Sequence, residues 1–461
     1  MEKVIKTTTG IYQGYEENDH VNFLGIPFGY GRRFKRAEEY YVDDPQKINL
    51  AVRPGTQPMQ DKALEKNELH FGENCLNLDI STPNVKGKFP IVVEFYGGGF
   101  LHGGNIVKNM PWLDEQQVVH IMPNYRLGLF GWGTISNGET NVGLSDQLMS
   151  LRWIIDNADK FGGDANNISL VGLSAGAKSI AALMASNSKL LDKIKKIILF
   201  SGSFQTIRNM ETSQMVTNRF CKTNNISTDK DLLNLTDDGL LSVQQKTIGE
   251  HIATNWFGPV VDNDLISDNW LSVLAQRVQR TDFKSLIGAG SNEQEKLDQY
   301  NLSKLKNNII PDLFGRNADV ILKQLSSTNN GDQKSYLIKL IGEAMYSYPA
   351  YRSQKFLSEN GAEVYGNYFT VLGGSHGGNI EYLNTPTKEL NIEFRKNRNY
   401  YFQLVMDFLL NDKPYNDEIK YEWPLFDENQ LVMELDPDDL SSVSMISYQW
   451  IKNMPWQNYK L

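Results

Sequence analysis

The pentapeptide Gly172-Leu173-Ser174-Ala175-Gly176 constrains this chain more than any other stretch. It follows a short β-type run, Ile168-Ser-Leu-Val171, and opens a helix-like run from Ala175 to Ala185. Strand, Gly-x-Ser-x-Gly, helix is the context of a nucleophile elbow. The turn is so tight that the positions two before and two after the serine must be small. Glycine at both avoids a Cβ clash. The serine hydroxyl then stands out of the sheet with the next residue's N–H beside it. Alone the pattern is weak: 30 serines and 37 glycines in 461 residues give roughly 0.2 chance occurrences. Its weight comes from the other segments that serine chemistry needs.

Apolar β-type runs recur along the chain with helical stretches between them. Ile91–Phe95, Val118–Met122, Ile168–Val171, Ile197–Phe200, Ser285–Gly288 and Val364–Thr370 read as strands. A helix is expected from about Ser145 to Phe161, with Leu148, Leu151, Ile155 and Ala158 on one buried face. Ser145 or Asp146 would cap it, and Gly162-Gly163 would stop it. Alternating strands and helices predict an α/β protein with a central, mostly parallel twisted sheet flanked by helices. The stretches at about 205–280 and 296–360 are more polar and helix-like. They read as helical insertions roofing the sheet of a single domain spanning 1–461.

The net charge of −9 favours neither nucleic acid nor an anionic membrane surface. No run of about 18 apolar residues predicts a membrane span, and the N-terminus does not resemble a signal peptide. With only two cysteines, Cys75 and Cys221, a reduced cytoplasmic setting is expected. No zinc-ligand spacing is visible, so neither metal nor cofactor is expected.

A serine hydroxyl needs a base, usually histidine, and a carboxylate to hold that imidazole. In the order Ser, acid, His, only His251 and His376 follow Ser174. His376 lies in Gly373-Gly-Ser-His-Gly-Gly378, a loop of small residues able to bring an imidazole close. His251 has no such loop. The acid should follow a strand between Ser174 and His376. After Ser285–Gly288, both Glu293 and Glu295 are in reach, with a slight preference for Glu293. The oxyanion of the tetrahedral intermediate needs waiting N–H donors. Gly97-Gly98-Gly99-Phe100, after the strand at Ile91, is where such a loop belongs. Phe100, Trp112, Trp132 and Trp256 would line an apolar pocket or, more simply, fill the core.

At this point the chain resembles the type-B carboxylesterase family, the cholinesterase-like branch of the α/β-hydrolase fold. The resemblance runs over nearly the whole chain. It rests on Phe23-Leu-Gly-Ile-Pro-Phe28, Arg33-Phe34, Glu73-Asn-Cys-Leu-Asn-Leu-Asp79 and Tyr96–Phe100. It continues through Asn124-Tyr-Arg-Leu-Gly128, Asn141–Gln147, Phe161-Gly-Gly-Asp164, Gly258-Pro-Val-Val-Asp262 and Trp423-Pro424. It implies Ser174 as nucleophile, Glu293 as acid, His376 as base, and Gly98, Gly99 and Ala175 as oxyanion donors. It also implies a bacterial-type cytoplasmic enzyme. Leu173 stands where the family usually has glutamate, and no tryptophan lies between Arg53 and Cys75, which disfavours cationic choline esters. Asn292 and Gln294 replace the family's Asp and Gly around the acid. Cys75 matches a cysteine that is bridged in secreted members, but its upstream partner is absent.

The expected activity is therefore hydrolysis of small, uncharged carboxylic esters through a Ser-His-Glu triad and an acyl-enzyme. The partner is a small-molecule ester, with no nucleic acid or membrane, and the sequence leaves the oligomeric state open, a monomer included. The rivals are a catalytically silent binding protein of the same fold, and an acyltransferase or lactonase on the same triad.

Overall fold

The apolar run around Ile91 becomes the strand Phe89–Phe95, whose last five residues are buried. A strand buried on both faces needs parallel neighbours covered by helices. Gly163–Leu173 lies on one side, with Ile91 opposite Ile168 and Phe95 opposite Gly172. Val119–Pro123 lies on the other, with Val92 opposite His120. Pairing then turns antiparallel through Asn77–Thr82 to His20–Pro27, and Tyr15–Glu17 forms the edge. The computed structural model describes residues 3–61, 69–204, 207–249, 256–280, 282–326, 333–386, 392–415, 421–436 and 440–447.

These strands belong to the first of two compact units, Met1–Ile197 with Thr206–Thr281. That unit also carries a small sheet of Val4–Thr7, Gly10–Gln13 and Ile48–Leu50. The expected helical character of 205–280 appears as Met210–Thr223, Asp237–Ile248 and Trp270–Arg280. The second unit is Ile198–Gln205 with Asp282–Leu461. There Lys284–Gly290, Glu363–Phe369 and Leu431–Leu435 run parallel, and Leu440–Ser444 pairs antiparallel at the edge. The chain passes from one unit to the other within the strand Lys196–Phe200.

The helix expected from Ser145 begins earlier, at Val142, and runs to Asn157 before a 3-10 turn to Phe161. Gly162 ends it at φ +71°, as anticipated. Neither proposed cap acts. Ser145 Oγ donates back to the Val142 carbonyl at 2.7 Å, and Asp146 is committed to Arg126. The start is set by Asn141 at φ +55°, which exchanges hydrogen bonds with Val260, 119 positions further along the chain. The buried stripe is Leu144, Leu151, Ile154 and Ala158, while Leu148 and Ile155 are only half-buried. Both cysteines are buried free thiols.

One charged cluster lies within the sheet of the first unit. Glu94 and His120 sit side by side on neighbouring strands, each about 1% exposed at the side chain. The His120 ring meets Asp114 at 2.7 Å and Glu94 at 3.1 Å. Burial alone would favour the neutral imidazole, but the hydrogen bonds to both carboxylates outweigh it and lift the pKa to about 9. A group whose folded pKa is raised stabilises the fold fully below its unfolded value, near 6.5, and loses that contribution as pH rises through about 9. The urea midpoint should therefore fall between pH 7 and 9.5 by more in the wild type than in His120→Gln. Equal slopes for the two proteins would refute this linkage.

Candidate active site

The elbow glycines are required sterically. A Cβ on Gly172 would lie 2.6 Å from the Gly176 carbonyl carbon, and one on Gly176 would lie 1.9 Å from the Phe95 carbonyl oxygen. Ser174 between them adopts φ +58°, ψ −120°, outside the regions L-residues prefer. Such strain persists only where the surroundings hold it. Here the strand Gly163–Leu173 enters and the helix Ala175–Ala185, buried throughout, leaves. Ser174 is 8% exposed. The Ala175 amide is the first of a helix, and the first amides of a helix lack intrahelical partners and favour negative charge.

The glycine loop lies against this elbow. A Cβ on Gly97 would come within 2.8 Å of the Leu173 carbonyl oxygen and 3.3 Å of Ser174 Cβ. Gly98 and Gly99 have φ of +100° and +65°. A side chain at Gly98 would also strike the His102 carbonyl at 2.1 Å. The loop is tied at its base. Tyr96 and Tyr125 stack at 4.3 Å, and each hydroxyl donates at 2.7 Å to the other's carbonyl oxygen. The His102 amide closes the turn onto the Gly98 carbonyl at 3.0 Å. Burial pulls the pKa of the His102 imidazole down, the nearby Asp61 opposing it. Ser174, Gly98, Gly99 and Ala175 thus lie together on two adjoining turns of the first unit.

Glu293 and His376 are brought together in the second unit. His376 Nδ1 meets Glu293 Oε2 at 2.6 Å, and the carboxylate side chain is fully buried. Its other oxygen, Oε1, accepts from the Gly290 amide at 2.6 Å and from Ser201 Oγ at 2.8 Å. Both oxygens are thus occupied, and the carboxylate cannot swing. With Nδ1 donating to the carboxylate, a neutral imidazole carries its lone pair at Nε2. The two loops are also joined through backbone. The Asn292 amide donates to the Gly374 carbonyl at 2.9 Å, and the Ser291 amide to that of Phe369 at 3.0 Å. The histidine loop turns at Leu372, Gly373, Gly374 and Gly377, all with positive φ. Glu295 is exposed, at the start of a short 3-10 turn.

Sequence reasoning missed Ser201. It sits just after the strand Lys196–Phe200 with φ +50°, a conformation unusual for serine. Besides donating to Glu293, its Oγ accepts from the Gly377 amide at 3.3 Å, so one hydroxyl links the acid to the histidine loop. A serine with left-handed backbone at a strand end was the available signal, but φ is not written in a sequence.

His251 lies outside the described residues. Phe100, Trp112, Trp132 and Trp256 are all buried, and Phe100 packs on Trp132 at 4.7 Å between ring centres. Several of the motif residues hold the scaffold. Arg126 and Asp146 form a buried ion pair, and Asp262 gathers Arg36, Thr140 and Asn141. Trp423 donates to the Gly366 carbonyl at 2.8 Å. Among the described residues no group of three or more His, Cys, Asp or Glu could hold a metal ion. No described helix is long and apolar enough to cross a membrane.

The model of the carboxylesterase family matches residues 1–446. The crystal protein of Dictyostelium discoideum is 29% identical over 407 residues, covering 80% of this chain and 71% of that protein. The para-nitrobenzyl esterase of Bacillus subtilis is 31% identical over 219 residues, which is 44% of this chain and 45% of that one. The solved carboxylesterase EST55 of Geobacillus stearothermophilus superposes with a TM-score of 0.78. The superposition covers 96% of this chain and 98% of that one at 22% identity. The fold is that of the α/β-hydrolase carboxylesterases, as the resemblance implied, with the mostly parallel sheet that the alternation of strands and helices predicted.

Proposed function

The chain belongs to the carboxylesterase family and is a serine carboxylesterase, and from that premise we propose that Ser174, His376 and Glu293 carry its chemistry on small, uncharged esters. Ser174 Oγ attacks the ester carbonyl while His376 Nε2 takes its proton. The amides of Gly98, Gly99 and Ala175 receive the oxyanion. The imidazolium gives its proton to the departing alcohol, leaving an acyl-enzyme. Water, deprotonated by the same imidazole, then releases the acid. Glu293 holds the ring in the tautomer this cycle needs and stabilises its charged form. We read residues 1–461 as one hydrolase domain, with the helices of about 205–280 and 296–360 inserted into it.

The observation that carries this reading is the doubly anchored Glu293 at 2.6 Å from His376 Nδ1. An imidazole ordered this way, with its lone pair at Nε2, is poised as a base, and a surface histidine has no use for such a support. Preference for uncharged substrates is supported by Leu173, which leaves no carboxylate beside the nucleophile to attract a cation.

The test is a fluorophosphonate probe followed by peptide mapping, beside a panel of p-nitrophenyl esters of rising acyl length. The adduct should sit on Ser174, and turnover should be highest for the short acyl chains. Absence of both adduct and turnover would point to a silent binding protein. Efficient transfer to alcohol acceptors, in preference to water, would point to an acyltransferase. Rates climbing steadily to long chains would overturn the small-substrate proposal.

A further inference from the structure

Residues 333–359 form a continuous helical run, Gln333–Gly342 leading into Tyr348–Glu359, interrupted by one wide π-turn, Glu343–Ser347. There the Tyr348 amide reaches back five residues to the Glu343 carbonyl. The cause is local. Pro349 has no N–H for the Met345 carbonyl four residues back, and its ring crowds that carbonyl, so the helix widens by one residue. The same arrangement recurs at Leu305–Ile309, where the Ile310 amide reaches Leu305 and Pro311 follows. A π-turn adds a residue without a matching advance along the axis, crowding consecutive side chains onto one side. Four of the five residues of Glu343–Ser347 are buried.

This turn meets the acid loop and the histidine at several points. Ser347 Oγ donates to the Gly290 carbonyl at 3.0 Å, and the amide of the same Gly290 holds Glu293 Oε1. Met345 sulfur lies 3.7 Å from Gln294 Nε2, the residue that replaces a family glycine. A Cβ at Gly342 would stand 3.5–3.6 Å from the Gln294 and Glu293 amides, in ordinary contact. The Tyr346 ring, 3% exposed, packs on the His376 imidazole at 4.6 Å between centres and 52° between planes.

We propose that Tyr346, mounted on the π-turn that Pro349 imposes, is a positioning residue for His376. Glu293 fixes the imidazole at one nitrogen only, which leaves it free to pivot about that hydrogen bond. A flat ring against the imidazole removes the pivot and keeps water from the Nδ1–Glu293 bond. The ring, not the hydroxyl, does this. The proposal rests on the reading of His376 as the base.

The experiment compares Tyr346→Ala, Tyr346→Leu, Tyr346→Phe and His376→Asn with the wild type on p-nitrophenyl butyrate, with urea unfolding reporting the folded state of each. Misaligned bases lose rate steeply, so Tyr346→Ala should lower kcat about 10- to 100-fold with KM within about threefold. The rate of fluorophosphonate labelling should fall by the same factor. Tyr346→Phe should restore kcat to within about threefold of wild type, while Tyr346→Leu, bulky but not flat, should behave as Ala. If Tyr346→Ala does not fold, the Leu variant decides. Wild-type kcat in Ala and Leu, a loss confined to KM, or Phe as impaired as Ala would overturn the positioning role. Retained turnover in His376→Asn would overturn the base assignment itself, a separable outcome.

Discussion

Ser174→Ala is expected to lower ester turnover by about 10⁴- to 10⁶-fold, the range seen when a triad nucleophile is removed. The effect should fall on kcat, because the amides of Gly98, Gly99 and Ala175 remain to bind the carbonyl oxygen. Folding should be unaffected. Alanine keeps the Cβ, so the unfavourable φ of +58° at this position costs the same in both proteins. Ser174→Gly removes that cost and should be as inactive as alanine yet more stable, by about 1 kcal/mol or more. Steady-state kinetics and urea unfolding on the three proteins test both halves. Turnover within tenfold of wild type in the alanine variant would end the serine-nucleophile proposal.

The largest effect on stability is expected from Asp146→Ala. Asp146 accepts from the Arg126 amide at 3.0 Å, Nε at 2.9 Å and Nη2 at 2.6 Å, and the two side chains are 0% and 1% exposed. Arg126 spends a further donor on the Arg32 carbonyl at 2.6 Å. Removing the carboxylate leaves a buried guanidinium charge without its hydrogen-bonded partner, which costs about 3–5 kcal/mol. The pair itself is worth far less, since both ions gave up water to form it. Replacing both, as Arg126→Met with Asp146→Leu, should therefore recover much of the loss. Urea unfolding of the single and double variants checks this. A double variant as unstable as Asp146→Ala would mean that the pair's hydrogen bonds to backbone, and not its charges, dominate.

What could be read from the chain follows from how local each signal is. Ile91–Phe95 and Ile168–Val171 are largely apolar runs, broken only by Glu94 and Ser169, because parallel strands are buried on both faces, and both are strands. The elbow was legible because its sterics demand glycine at two fixed positions. The join of Glu293 with His376 spans 83 residues, and only the resemblance to a family favoured Glu293 over Glu295 firmly. Where a residue's importance lies in one remote partner, no pattern marked it. Ser201 reaches across 92 residues to Glu293, and Tyr346 reaches His376 from another helix. The helix expected at Ser145 began at Val142 because Asn141 answers to Val260, which amphipathic periodicity cannot foresee. The π-turns had a local mark, a proline inside a helical pattern, that reads more readily as a helix end.

The two thiols carry a practical consequence. Cys75 is wholly enclosed, and burial drives its pKa far up; Cys221 is 7% exposed with its pKa raised in the same way. Neither offers a thiolate to an alkylating reagent at neutral pH. A cysteine placed at Tyr41, 79% exposed, would then be the one addressable handle on an otherwise native chain. Through it a dye or a solid support could be attached at a single defined point, without first stripping the protein of its own sulfur.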